Sequence, residues 1–175
     1  IMDIASEYNL YVIEDNAQAI GATYTSSNGK KQKAGTIGHV ASTSFFPSKN
    51  LGCYGDGGAI FTNDDDLAHT IRGIVNHGMY RRYYHDVVGV NSRLDSIQAA
   101  VLNTKLPKLD DYNARRKEAA NKYDNAFKEA NHIIVPFRNG SDDSHVFHQY
   151  TLKIKNGKRD ALVEHLNSKG IPCGV

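Results

Sequence analysis

The sequence has no tryptophan, two cysteines, two methionines and four prolines in 175 residues. Two cysteines as far apart as Cys53 and Cys173 cannot build a disulfide scaffold, so a reducing cytoplasmic setting is the default. No apolar run approaches the ~18 residues of a membrane-spanning helix. The opening Ile1-Met2-Asp3-Ile4 has neither the basic stretch nor the apolar core of an export signal. No sign of charge dominates: 21 Lys and Arg face 19 Asp and Glu, for a net charge of +2. That balance gives no case for nucleic acid or an anionic membrane as a partner. No spacing of His, Cys, Asp and Glu resembles a metal site, and no internal repeat or low-complexity tract occurs.

What is present is an ordinary globular composition, 40% hydrophobic and 23% charged. The length suits one domain, or one domain and a piece of another. Residues 1–9 read as a helix already under way. Ile171-Pro172-Cys173-Gly174-Val175 reads as a strand just beginning, so an internal segment of a longer protein is expected.

Leu10-Tyr11-Val12-Ile13 reads as a buried strand with Glu14 and Asp15 at its carboxyl end. Residues 23–38 read as a hairpin or loop. Val40 to Phe46 and Ala59 to Thr62 are further strands, separated by a glycine-rich loop from Pro47 to Gly58. Asn63-Asp64-Asp65-Asp66 offers an N-cap for a helix that Gly78 can end. Residues 79–90 form a loop dense in Arg and Tyr. A helix from Leu94 to Leu106, facing inward through Leu94, Ile97, Val101 and Leu102, precedes a long helix from about Lys108 to Ala130. Then come Ile133-Ile134-Val135-Pro136, a polar loop at 139–144, a strand from Val146 to Ile154, a turn at Asn156-Gly157 and a helix from Arg159 to Lys169. The pattern is that of an α/β lobe joined by a long helix to a second lobe.

Two places carry chemistry. Asp15 follows a strand, where open α/β sheets bind ligands, although an acid there can equally cap the next element. Lys49, in Ser44-Phe45-Phe46-Pro47-Ser48-Lys49-Asn50, opens the glycine-rich loop. It is either an exposed loop lysine or one able to form a Schiff base. Together they suggest pyridoxal-phosphate (PLP) chemistry, which needs a lysine for the cofactor's aldehyde and a carboxylate facing its pyridine nitrogen. Two neighbouring strands can supply that pair. Ser44 could offer its hydroxyl to a phosphate, and Gly55, Gly57 and Gly58 let the backbone pass close to a bound group.

The run Val12-Ile13-Glu14-Asp15-Asn16-Ala17-Gln18-Ala19-Ile20-Gly21-Ala22 resembles a signature of the DegT/DnrJ/StrS sugar aminotransferases. So do Ser44 to Gly52, Gly55-Asp56-Gly57-Gly58-Ala59, Gly89-Val90-Asn91-Ser92-Arg93-Leu94-Asp95 and Gln98-Ala99-Ala100. The resemblance implies the α/β type I PLP-dependent transferase fold, working as a homodimer with shared active sites. It divides the chain into part of a PLP-binding large domain (1–106), a linking helix (107–130) and part of a small C-terminal α/β domain (131–175). It implies pyridoxal 5'-phosphate as cofactor, Lys49 as the lysine that carries it and Asp15 as partner of the pyridine nitrogen. Gln18 would lie beside the ring and Ser44 would bind the phosphate. Asn91 would reach the cofactor phosphate of the neighbouring subunit, and Arg93 would face substrate there or pair in the interface.

The implied reaction moves an amino group, from L-glutamate, to a nucleotide-linked keto sugar. The Gly-Val-Asn-Ser-Arg run and the basic loop resemble the branch that acts on UDP-linked 3-keto uronic acids. A sister group of sugar dehydratases carries histidine where this chain has Lys49. Position 20 is Ile where many relatives have His, which removes a cofactor contact from that position. His77 reads as a helix-end cation or a substrate contact. Arg81, in Tyr80-Arg81-Arg82-Tyr83-Tyr84-His85, suits a diphosphate, a sugar acid or an interface. His145 and His148 alternate with apolar residues, which points to core or interface positions, and nothing beside Cys53 signals a reactive thiol.

Overall fold

The computed structural model describes residues 1–139, 141 and 143–175. Gly140 and Asp142, within the expected polar loop at 139–144, lie outside the described residues. A short helix, α1 (Met2–Glu7), leads to β1 (Ile13–Asp15). The hairpin β2 (Thr23–Thr25) and β3 (Lys31–Lys33) follows, antiparallel as its turn residues predict. Then come β4 (Val40–Ser44) and β5 (Gly58–Phe61). Helix α2 (Asp65–Val75) starts where Asp64 accepts the Leu67 amide at 2.9 Å. A cap of this kind contributes about 1 kcal/mol.

After α2, a small ribbon of β6 (Met79–Arg81) and β7 (Tyr84–His85) occupies the Arg- and Tyr-rich loop. Helix α3 (Ser96–Lys105) is capped by Asp95 and runs through a 3₁₀ turn, with Pro107 in its first turn, into α4 (Leu109–Phe127). The short pair β8 (Ile133–Ile134) and β9 (Lys153–Ile154) and the helix α5 (Arg159–Ser168) complete the chain.

The central sheet has the order β1-β4-β5. Strands β1 and β4 are parallel, with Asp15 opposite Ser42, and β5 returns antiparallel to β4. The core lies between this sheet and the helices: Phe45, Leu51, Cys53, Leu102 and Leu109 are buried together, with Ile20, Ala59 and Val101 packed on them.

Three expectations need correction. β1 has its acids at the carboxyl end as expected, but it is shorter than the run from Leu10 and is not buried. It begins at Ile13 and includes Glu14 and Asp15, and Tyr11 and Ile13 are 80% and 73% exposed. Ile97 does not face inward and is 72% exposed, whereas Leu94, just before the Asp95 cap, rests its side chain over Gly57 beside Phe45 and Cys53. Residues 146–152 form no strand, because side chains take their carbonyls. Asn50 donates to Val146 O, and Arg116 donates to the carbonyls of Phe147 and His148.

The register of β1 on β4 is set by Glu14. Its Oε2 accepts the Gly35 amide at 2.8 Å, and its Oε1 accepts those of Ile37 and Gly38 at 2.6 Å each. Gly35 has φ +89°, and a Cβ there would meet Asn16 Nδ2 at 2.8 Å. The turn thus wraps the carboxylate at the start of β4. His39 extends the staple: Val12 donates to its Nδ1 at 2.9 Å, and its own amide donates to Val12 O at 3.0 Å.

Hydrogen bonds to a charged group contribute roughly 1.5–3 kcal/mol each when the geometry holds. Glu14→Ala is therefore expected to lower the free energy of unfolding in urea by about 2–4 kcal/mol, with Glu14→Gln, which keeps one acceptor oxygen, losing less. A loss for Glu14→Ala below about 0.5 kcal/mol, the level of an ordinary surface change, would show that the turn does not depend on this carboxylate.

Candidate active site

Lys49 sits in the loop between β4 and β5, and that loop is held at several points. Its base is closed by Phe45 N–H on Gly57 O at 2.7 Å and Cys53 N–H on Phe45 O at 2.8 Å. Lys49 N–H bonds Phe46 O at 2.9 Å, making a tight turn. Leu51 and Cys53 drop from the loop into the core. Burying a side chain of leucine size contributes roughly 1.5–3 kcal/mol. From α3, Gln98 Oε1 accepts the amides of Tyr54 and Gly55 at 2.7 and 3.1 Å, and Lys105 Nζ donates to Gly52 O at 2.6 Å. Gly52 is pressed against the turn: a Cβ there would lie 2.5 Å from Pro47 O and 2.8 Å from Phe46 O.

Asn50 ties the same loop to the rest of the chain. Its side chain is buried and donates to Asn113 Oδ1 at 2.7 Å and to Val146 O at 3.1 Å. Asn113, on α4, donates in turn to Ile20 O at 3.2 Å. His148 Nδ1 lies 3.2 Å from Asn50 Oδ1. Lys49 therefore stands next to a residue that links β4, α4 and the 145–151 segment.

A cleft of about 580 Å³ opens beside this network. Asp15, Ala17, Gln18 and Ala19 form one wall, and His145, His148, Gln149 and Thr151 form the other. Asp15 accepts the Ala17 amide on Oδ1 at 3.0 Å, which fixes the carboxylate at the end of β1. Ser44 ends the neighbouring β4, where its hydroxyl oxygen accepts the Phe46 amide at 3.2 Å. Burial first, and then the positive charges of Lys49 and Arg116, hold the His148 pKa below its usual 6.5. Burial and Arg138 do the same to His145.

Of the residues singled out by sequence, Asp15 and Gln18 line the cleft. Ser44 ends the neighbouring β4 and Lys49 lies in the loop after it, and neither contributes to the cleft's walls. His77, Arg81, Asn91 and Arg93 gather elsewhere, in one knot beyond the end of α2. Asn76 and Asn91 form a β-bridge, and His77 N–H bonds Val90 O at 2.9 Å. Arg93 Nε donates to Asn91 Oδ1 at 3.3 Å, and the Arg81 guanidinium lies 3.5 Å from the Tyr84 ring centroid. His85 Nδ1 contacts His77 O at 2.8 Å, joining the ribbon to the knot. None of the four lines the cleft. Asn50, Gln98, His145 and His148 were missed as site residues. The alternation of His145 and His148 with Val146 and Phe147 was visible, but their wall of the cleft depends on contacts nearly a hundred positions away.

Adding a Cβ at Gly52 pushes backbone against backbone, which no rotamer change relieves. Gly52→Ala is expected to destabilise the chain by roughly 1–3 kcal/mol, read as a lower thermal midpoint, and an unchanged midpoint would contradict the tight packing of the Lys49 turn. His145 and His148 also couple folding to pH. With folded-state values below the ordinary 6.5, they contribute stability that is complete above that value and is lost as pH falls towards their folded values. Unfolding in urea between pH 8 and pH 5, on the order of three pH units around the imidazole range, should show stability falling with acidity. His145→Asn with His148→Asn should flatten that slope. A slope that persists unchanged would assign it to other groups.

Comparison with known proteins places this geometry. The DegT/DnrJ/EryC1/StrS aminotransferase family profile matches residues 1–175. The chain is 48% identical over 172 residues to the UDP-2-acetamido-2-deoxy-3-oxo-D-glucuronate aminotransferase of Pseudomonas aeruginosa, covering 98% of this chain and 45% of that protein. Among solved structures it resembles S. venezuelae DesV in complex with a ketimine intermediate, with a TM-score of 0.89 at 40% identity over 98% of this chain and 44% of that one. The E. coli GDP-4-keto-6-deoxy-D-mannose-3-dehydratase with bound hydrated PLP is more distant, at 25% identity and a TM-score of 0.85 over 98% of this chain and 48% of that one. The chain thus spans about 45% of the length of the curated aminotransferase it matches. With the family profile matched from end to end and the mixed α/β fold shared with these enzymes, the chain belongs to the DegT/DnrJ/EryC1/StrS aminotransferase family.

Proposed function

We propose that this chain is the lysine-bearing part of a PLP-dependent aminotransferase that moves an amino group from L-glutamate to a nucleotide-linked keto sugar. The substrate we name is a UDP-linked 3-keto uronic acid derivative, made for a surface polysaccharide or an amino-sugar product. The observation that carries the reading is the shared edge: Asp15 and the Lys49 loop leave the carboxyl ends of two neighbouring parallel strands, beside one cleft. The 48% identity to an aminotransferase named for a UDP-linked 3-oxo-glucuronate supports the substrate class.

The donor set fits PLP. The Asp15 carboxylate and the Gln18 amide line a cleft of about 580 Å³, and the Ser44 hydroxyl and the Lys49 amine belong to the end of the neighbouring β4 and the loop that follows it. When bound, PLP supplies a ring that takes up the electron pair left on a substrate carbon. Asp15 holds the proton on the pyridine nitrogen. Ser44 donates its hydroxyl to the phosphate, and Gln18 packs along the ring. Lys49 Nζ carries the cofactor at rest. When free, the Lys49 amine would take a proton from the substrate carbon.

The exposed knot of Asn91, Arg93, Arg81 and His77 serves the neighbouring subunit's site in a homodimer. Asn91 reaches the cofactor phosphate there, and the two arginines and His77 face substrate. Its position outside this chain's own cleft and its cationic character support that role. The whole acts as a cytoplasmic enzyme, and among the described residues no helix is long and apolar enough to cross a membrane. Residues 1–106 serve as part of the PLP-binding large domain, 107–130 as the linking helix and 131–175 as part of the small domain. Lysine at position 49, where the sister dehydratases are expected to carry histidine, favours transamination over dehydration.

In the full enzyme, Lys49→Ala is expected to abolish formation of the amino sugar from L-glutamate and the keto sugar, and Asp15→Asn to slow it by roughly 10²–10³-fold. Product is followed by liquid chromatography and mass spectrometry. Undiminished product from Lys49→Ala would refute the assignment, and a dehydrated sugar in place of the amino sugar would favour the dehydratase reading. Residues 1–175 alone are expected to be inactive and to bind PLP weakly, so a strong absorbance band of lysine-bound cofactor in this chain by itself would contradict the need for the rest of the enzyme.

A further inference from the structure

The wall of the cleft opposite Asp15 holds an imidazole whose proton position is dictated by partners that cannot change roles. Val146 O and Ile20 O are backbone carbonyls, and a carbonyl only accepts. The Asn50 atom 3.1 Å from Val146 O must therefore be nitrogen, and so must the Asn113 atom 3.2 Å from Ile20 O. That leaves Asn113 Oδ1 to receive the second hydrogen of Asn50 Nδ2, at 2.7 Å. Both Asn50 amide hydrogens are then used, and its Oδ1 can only accept from His148 Nδ1, 3.2 Å away. An amide flip at either asparagine would set oxygen against a carbonyl oxygen. The proton of His148 is thereby placed on Nδ1, and Nε2 is left on the far side of a ring that lines the cleft.

The same network ties that ring to the turn that carries Lys49. Asn50 is the next residue in the chain, in a turn closed by Lys49 N–H on Phe46 O. Arg116 holds the other side by donating to the carbonyls of Phe147 and His148 at 3.2 and 3.1 Å. Burial first, then Lys49 while it is charged, then Arg116 disfavour a second proton on the ring.

We propose that His148 is a positioning residue for Lys49: locked as the Nδ1–H tautomer by Asn50, it offers Nε2 as acceptor to one N–H of the neutral Lys49 amine, which turns the amine's lone pair toward the occupant of the cleft. The step makes and breaks no covalent bond and transfers no proton. It removes rotational freedom from a flexible side chain at the moment it must react. The inference rests on the reading of Lys49 as the reacting amine.

The test uses the holoenzyme in two ways. In ring-¹⁵N-labelled protein near neutral pH, His148 is expected to show a protonated Nδ1 and an unprotonated Nε2. A proton on Nε2 overturns the proposal. In single-turnover reactions with the amino donor, His148→Leu is expected to slow the step on the order of tenfold or more, with little change in the donor concentration needed for half-saturation. His148→Gln, which can put an acceptor oxygen near the Nε2 position, should recover most of that rate. A wild-type rate in His148→Leu, or equal slowing by both variants, overturns the positioning role. Cofactor found on a lysine other than Lys49 instead overturns the functional reading itself, and that outcome is recognisable because it leaves the His148 tautomer unchanged.

Discussion

The parallel pairing of β1 with β4 is the constraint on which the rest of the site depends. Ile13 meets Val40, Glu14 meets Ala41 and Asp15 meets Ser42. Parallel strands present their carboxyl ends on one edge, so Asp15 and the loop after Ser44 must emerge together. A slip of one residue would turn Asp15 to the other face of the sheet. Glu14, between Ile13 and Asp15, prevents that slip by holding the turn that feeds β4. The Glu14 carboxylate therefore fixes where Asp15 emerges at the end of β1.

A second level of order acts on the lysine. A free lysine side chain loses much rotational freedom when it is fixed, and a loop lysine starts with the most to lose. Here the loop is already fixed. Core burial of Leu51 and Cys53, the Gln98 and Lys105 clamps from α3 and the Asn50 bridge to α4 restrain different parts of it. The Lys49 side chain thus starts from a rigid base, which is the arrangement that preorganised sites use.

Much of this was legible in the sequence, for definable reasons. Local signals worked: the Asp64 cap, the hairpin at 23–38 and the left-handed Gly78 all rest on neighbours close in the chain. The misreadings have long-range causes. An apolar stretch such as Leu10 to Ile13 reads as a buried strand, yet only Ile13 of it joins β1, and Leu10, Tyr11 and Ile13 are exposed. Residues 146–152 alternate like a strand, but Asn50 and Arg116 claim their carbonyls from distant positions. The roles of Gln98 and His148 rest on partners 44 and 98 positions away, which no local pattern announces.

The central claim is that Lys49 is the amine that reacts with the cofactor while Asp15 faces the same ring. The most direct measurement is borohydride reduction of the PLP-loaded enzyme, followed by digestion and mass spectrometry of the peptides. The account predicts the reduced cofactor on the peptide that contains Lys49, with Lys105 and the other lysines unmodified. Label on any other lysine, with Lys49 untouched, would contradict it.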